Sequence, residues 1–118
     1  MGDGDSTLTP AEISVFYRRL EAQKHELLGQ IADLRGEVAV ADDDQETPDD
    51  GSVLEGREEA LGQIAFVRDE LDRVARAMRR IAEGTYGLSE VSGEPIPRGR
   101  LEALPTATTL VDELPPRP

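Results

Sequence analysis

The side chains able to do chemistry in this 118-residue chain are almost all carboxylates and guanidiniums: 25 Asp and Glu, 13 Lys and Arg, one histidine and no cysteine. The absence of cysteine excludes disulfides, thiolate metal sites and cysteine nucleophiles together. His25 stands alone and reads as a surface or seam residue rather than a ligand. No nucleophile–base constellation, phosphate-cradling glycine motif or HExxH-type metal site is present, so the chain is not expected to be an enzyme. Charge is concentrated at two places. Asp42, Asp43, Asp44, Glu46, Asp49 and Asp50 form an acidic run with no basic residue among them. Such a run is either a solvated, self-repelling turn or a carboxylate-bearing tip aimed at a metal or at a partner's basic pocket. Its spacing is not that of an EF-hand. Arg18, Arg19 and Lys24, with Arg73, Arg76, Arg79 and Arg80, form the basic counterpart. These are ordinary surface charge or, in the sharper reading, a docking collar for an acidic partner.

Two long helices must position these groups. Thr9-Pro10-Ala11-Glu12 has the form of a helix start, with Thr9 as cap, Pro10 in the first helical position and Glu12 closing a capping box. Apolar residues follow at Ile13, Phe16 or Tyr17, Leu20, Leu27, Ile31, Leu34 and Val38, with Gln23 and Lys24 interrupting the stripe. Ser52-Val53-Leu54-Glu55 reads as a second start, before the stripe Ile64, Val67, Leu71, Val74, Met78 and Ile81, and Gly84 is the expected C-cap. The stripes match as an antiparallel pair folding back near residue 47: Ile13 against Ile81, Phe16 against Met78, Leu20 against Val74, Leu27 against Val67, Ile31 against Ile64, and Leu34 against Leu61. Six such rungs would hold a hairpin about 40 Å long. A dimer pairing the same seams between chains is the alternative; short, local connections favour the hairpin and hence a monomer. The pentapeptide Leu28-Gly29-Gln30-Ile31-Ala32 recurs as Leu61-Gly62-Gln63-Ile64-Ala65, with Arg35 and Glu37 echoed by Arg68 and Glu70. Shared heptad demands account for the echo without assigning it a function.

Composition narrows the class further. Only 3% of residues are aromatic, so a thick globular core is not expected. A net charge of −12 argues against direct binding of a nucleic-acid backbone or an anionic membrane. No basic signal sequence opens the chain and no apolar run approaches membrane-spanning length, which makes the cytoplasm the expected compartment. Residues 1–8 and 115–118 are expected to be disordered, 9–83 to form the antiparallel coiled-coil hairpin with a tip loop at 41–51, and 84–114 to form a small C-terminal subdomain.

The stretch from Gly84 to Pro97, Gly-Thr-Tyr-Gly-Leu-Ser-Glu-Val-Ser-Gly-Glu-Pro-Ile-Pro, resembles the start of the zinc finger of DksA/TraR proteins. The pattern there is Gly-x-Tyr-Gly-x-Cys-x-x-Cys-Gly-x-x-Ile. The continuation from Arg100 to Thr108 resembles the family's Arg-Leu-Glu-Ala-x-Pro-x-Ala stretch before its second Cys-x-x-Cys. The resemblance implies a mostly α fold: a long antiparallel α-helical coiled-coil hairpin plus a zinc-finger-like C-terminal subdomain. The four cysteine positions fall on Ser89, Ser92, Leu110 and Glu113, so no zinc is expected and no other cofactor. The subdomain must then be held by packing, with Tyr86, Val91, Ile96, Leu101, Leu104 and Leu110 as candidates, turns at Gly87, Gly93 and Gly99, and a short helix between Pro97 and Pro105.

Family members are bacterial transcription regulators that insert the hairpin into the secondary channel of RNA polymerase, with acidic tip residues near its catalytic centre. The resemblance therefore implies polymerase as partner and modulation of initiation as function. The family's tip pattern Asp-x-x-Asp-x-Ala falls on Glu46, Asp49 and Gly51, which makes Asp49 the first choice of tip residue, Glu46 the second, and Asp50 the nearest substitute. Some members sense a guanosine tetraphosphate alarmone through basic residues at the base. Arg73 falls on one such position, but Leu104 and Leu114 fall on others, which puts direct alarmone binding in doubt. A coiled-coil adaptor or dimerisation module without polymerase activity is the alternative function.

Overall fold

The structure, a computed structural model, describes residues 8–43 and 51–113, with side chains described for 8–39 and 55–113. Three helices follow in order: α1 (Pro10–Asp43), α2 (Gly51–Glu83) and the short α3 (Arg98–Ala103). Both long helices form where the heptad stripes require them, and both reach further than expected. Residues 41–43 and 51, assigned from sequence to the tip loop, are helical. Among the described residues no helix is long and apolar enough to cross a membrane.

The ends of the helices explain their bounds. At the start of α1 the Thr9 amide donates to Glu12 Oε1 at 2.8 Å, and the Glu12 amide donates to Thr9 Oγ1 at 3.2 Å. Two amides that lack intrahelical acceptors are thus satisfied reciprocally. At the end of α2, Gly84 adopts φ +80. The Gly84 amide donates to the Ile81 carbonyl at 3.2 Å and the Thr85 amide to the Arg80 carbonyl at 2.9 Å. This pair of bonds is a Schellman motif, which requires a left-handed residue where glycine alone carries no Cβ penalty.

The chain divides into two compact units, one running to Gln23 and resuming at Arg73, the other comprising Lys24–Asp72. The second, the hairpin unit, is a pair of helix segments closed by Leu27, Ile31 and Leu34 from α1 and Ala60, Ile64 and Val67 from α2, all under 9% exposed. Each of the Leu, Ile and Val side chains contributes roughly 1.5–3 kcal/mol gross on burial, and the Ala60 methyl less. The expected rung of Leu34 with Leu61 is only half realised. Leu61 remains 45% exposed, and the smaller Ala60 takes the buried position one residue earlier. A hundred degrees of rotation per residue separates the two, so the seam lies closer to residue 60 than a strict heptad count places it.

The first unit, the base unit, centres on Leu20, Val74, Ile96 and Leu101, each less than 2% exposed. Phe16, not Tyr17, is the buried aromatic of α1, and its ring lies 5.8 Å from that of Tyr86, tilted by 48°. The expected base core is correct for Tyr86, Ile96 and Leu101. Leu110 is half-buried, while Val91 and Leu104 are 51% and 47% exposed. Leu8, expected within a disordered N-terminus, is buried at 7%. Its Cδ1 would lie 3.2 Å from a Cβ at Gly87, whose φ is +88, so both space and backbone select glycine there. Gly93 also serves a left-handed turn at φ +76, but Gly99 does not: it lies inside α3 with an ordinary helical backbone.

Candidate functional site

The carboxylates expected at the tip, Glu46, Asp49 and Asp50, lie outside the described residues. What the structure brings together is the region after α2, where four positions correspond to zinc ligands in the resembling family. They lie on two short turns. In the first, the Gly93 amide donates to the Ser89 carbonyl at 3.0 Å, and Ser89 Oγ accepts from the amides of Val91 and Ser92 at 3.0 and 3.2 Å. In the second, the Glu113 amide donates to the Leu110 carbonyl at 3.1 Å. The Ser89 amide donates to Glu94 O at 2.8 Å and the Ile96 amide to Gly87 O at 2.8 Å, with Leu88 and Pro95 forming an isolated antiparallel bridge.

Between the turns stands a carboxylate. Ser89 Oγ donates to Glu113 Oε1 at 2.5 Å, and the Leu110 amide donates to the same oxygen at 2.7 Å. Hydrogen bonds from the Ser89 and Ser92 hydroxyls, then from the Leu110 amide, hold the Glu113 carboxyl below its ordinary value. A zinc ion wants thiolate or imidazole ligands, usually four in a tetrahedron. The residues here do not fit that need. Ser89 is a neutral hydroxyl already committed to three hydrogen bonds, Leu110 offers only an alkyl group and an amide, and Glu113 is occupied by both turns. A hydrogen-bonded carboxylate links the two turns at the positions where the family places its metal ligands.

Arginines complete the staple. Arg80, from the last turn of α2, donates to the carbonyls of Thr85 and Leu88 at 2.9 and 2.5 Å. Arg19 donates to the Glu102 carbonyl at 2.9 Å and lies over the Phe16 ring, and Arg100 donates to the Thr109 carbonyl at 2.9 Å. Arg80 and Arg100 tie helices to loop carbonyls, and Arg19 ties α1 to a carbonyl of α3. Tyr86 does the same with a phenol: its hydroxyl donates to the Pro105 carbonyl at 2.8 Å. Burial pushes the Tyr86 phenol up to about 12, against a smaller opposing pull from Arg19.

The expected docking collar is therefore partly spent on the fold. Arg76 and Arg80 both pair with Glu90, and the Glu90 amide is held by the Thr108 carbonyl at 2.8 Å. Arg73 is engaged as well, whereas the Arg79 side chain is exposed. Glu12, the capping residue, also takes an ion pair from Arg98 at 3.1 Å. Sequence reasoning missed Glu90, Arg19 and Arg100 as structural residues. Their partners are backbone carbonyls or distant charges, which leave no periodic trace. His25 is exposed, and among the described residues no cluster of three His, Cys, Asp or Glu is arranged to hold a metal.

The comparisons with known proteins bear on this arrangement. No protein-family model matches the chain. The solved structure of transcription factor DksA2 from Pseudomonas aeruginosa is similar with a TM-score of 0.77 at 32% identity, covering 87% of this chain and 80% of that one. General stress protein 16O of Bacillus subtilis is 30% identical over 111 residues, 89% of this chain and 68% of that protein. The RNA polymerase-binding transcription factor DksA of Caulobacter vibrioides is 47% identical over 45 residues, 38% of this chain and 32% of that protein. The chain spans between 29% and 41% of the length of three curated relatives it matches, that DksA among them. Helical hairpin, family motif and a likeness covering most of both chains agree, and this chain belongs to the DksA/TraR family, as a variant without the zinc-binding cysteines.

Proposed function

We propose that this protein is a non-enzymatic transcription regulator that binds bacterial RNA polymerase through its helical hairpin and alters initiation. The observation that carries this reading is the similarity to DksA2 over 87% of the chain, hairpin and base alike, at 32% identity. A relative whose name states that it binds RNA polymerase adds the partner. In this reading the hairpin enters the secondary channel of polymerase and acts in the cytoplasm as a monomer, without touching nucleic acid directly. The carboxylates of Asp49 and Glu46, with Asp50 beside them, perturb mobile elements or the metal environment of the partner's catalytic centre. Arg79 and its neighbours on α2 contribute the docking collar, reduced by the internal pairing of Arg76 and Arg80 with Glu90. Arg73 falls on one position where alarmone-sensing members carry a basic residue, but Leu104 falls on another, which puts direct alarmone binding in doubt.

The test is co-purification of the tagged protein with bacterial core RNA polymerase, followed by displacement with a known secondary-channel binder. Displaceable binding is the expected result. Asp49→Asn is expected to weaken the effect on initiation in a purified transcription assay while leaving binding within about threefold of the parent, under roughly 0.7 kcal/mol. Failure to bind at micromolar concentration would overturn the reading in favour of a coiled-coil adaptor for another protein.

A further inference from the structure

The hairpin unit carries a groove of about 250 Å³ lined by Arg35 and Val38 of α1 and by Leu61, Ile64, Ala65 and Arg68 of α2. Its apolar lining is continuous with the seam, since Ile64 is buried, Val38 half-buried and Leu61 left 45% exposed by the displaced rung. A guanidinium on each helix borders it. Arg35 and Arg68 are both exposed, and neither makes a hydrogen bond or ion pair among the described residues. They are also equivalent residues of the internal echo, each seven positions beyond the leucine that opens its copy. The antiparallel pairing of the helices brings the two copies' arginines to one groove.

We propose that this groove seats a segment of the partner protein that places an aliphatic side chain between the helices and a carboxylate against Arg35 and Arg68. The inference rests on the polymerase reading and names a contact surface on the hairpin apart from its tip. Charge selects the occupant. In a chain of net charge −12, two cations that border an apolar groove and have no counter-ion among the described residues complement an acidic segment. Guanidinium forks match carboxylate geometry, and the charge-assisted bonds strengthen as the groove is dried by an aliphatic group. A free phosphate would satisfy the arginines but leave Leu61, Val38 and Ala65 facing water. A second copy of this chain would bring a net charge of −12 as a whole and meet long-range repulsion that a local carboxylate on a partner does not.

Two variants of equal net charge test the placement in a binding assay with purified bacterial core RNA polymerase. Arg35→Gln with Arg68→Gln removes the cations from the groove, while Gln30→Glu with Gln63→Glu changes net charge equally at exposed positions outside it. The groove pair is expected to weaken binding at least about tenfold and the control pair less than about threefold, with helix content by circular dichroism unchanged in both. Because the chain has no cysteine, Ala65→Cys gives a unique attachment point for a benzophenone in the groove, expected to cross-link to a carboxylate-rich stretch of polymerase. Equal losses from both pairs, no loss from the groove pair, or a cross-link to a second copy of this chain would overturn the proposal while polymerase binding stands. Failure of the parent protein itself to bind would instead remove the polymerase reading, and this surface with it.

Discussion

Glu113 stands at a hub between two turns, and its chemistry dictates how the base answers to acid. The Ser89 hydroxyl and the Leu110 amide both donate to its Oε1. The fold favours the carboxylate over the neutral acid, so the folded pKa lies below the ordinary 4.5. The stabilising contribution is therefore complete above the ordinary value and disappears as pH falls through the lowered one. Glu113→Gln is expected to melt at a lower temperature than the parent at pH 7, with the gap closing as the pH is lowered below 4.5; a constant gap would count against a charged hub. Tyr86 carries the opposite sign. Burial raises its phenol from 10.0 to about 12, so its contribution is complete below 10.0 and lost as pH rises through 12. Tyr86→Phe leaves the Pro105 carbonyl without its donor and is expected to cost about 1 kcal/mol at neutral pH, while removing this residue's share of alkaline destabilisation from melting curves. Sequence reading identified Ser89 and Glu113 as former ligand positions but not as hydrogen-bond partners. They lie 24 residues apart, and no periodicity links two turns that meet only through side chains.

The long helices were the most legible elements, because each advertises itself twice, by a heptad stripe and by a terminal signal. The Thr9–Glu12 capping box and the Gly84 C-cap both appear with the expected bonds. The short helix α3 also lies between Pro97 and Pro105, bounded by residues that disfavour its extension. The base turns were legible only through the family motif. Val91 and Leu104 are apolar yet exposed, and Gly99 is glycine yet helical, because hydrophobicity and turn propensity do not decide direction in a region without a repeat. The same turns nevertheless meet through the side chains of two of the four ligand-equivalent positions. Ser89 Oγ and Glu113 Oε1 approach to 2.5 Å, and the Leu110 turn closes on that same oxygen. Replacing all four positions, Ser89→Cys, Ser92→Cys, Leu110→Cys and Glu113→Cys, is expected to create a zinc site with one ion per chain, because thiolates are the ligands zinc favours and the Ser89 and Glu113 side chains already meet. Cobalt titration reads the outcome directly through the thiolate charge-transfer band. Absence of that band in the folded quadruple variant would show that the two turns have drifted from ligating geometry.

For the molecule as a whole the decisive question is whether the heptad stripes are satisfied within one chain. Sequence left two answers, since a stripe that closes a hairpin can also pair two chains in a coiled coil. In the structure Leu20, Leu27, Ile31 and Leu34 of α1 and Val74, Val67, Ile64 and Ala60 of α2 are all buried within a single chain. Among the described residues the exposed large apolar side chains on the helices are Val15, Tyr17, Leu28, Leu61 and Phe66. Apart from Leu61, which lines the groove beside the seam, they lie off the buried stripes, and scattered apolar surface of this kind does not drive association by itself. A net charge of −12 further opposes bringing two copies together at low salt. An obligate dimer would melt at a temperature that rises with protein concentration, because mass action couples folding to assembly. A hairpin closed within its own chain has no such coupling. The melting temperature is therefore expected to stay constant across about a hundredfold range of concentration. Sedimentation equilibrium over the same range is expected to return 12.9 kDa. A melting temperature that climbs with concentration, together with twice that mass, would place the pairing of α1 with α2 between chains.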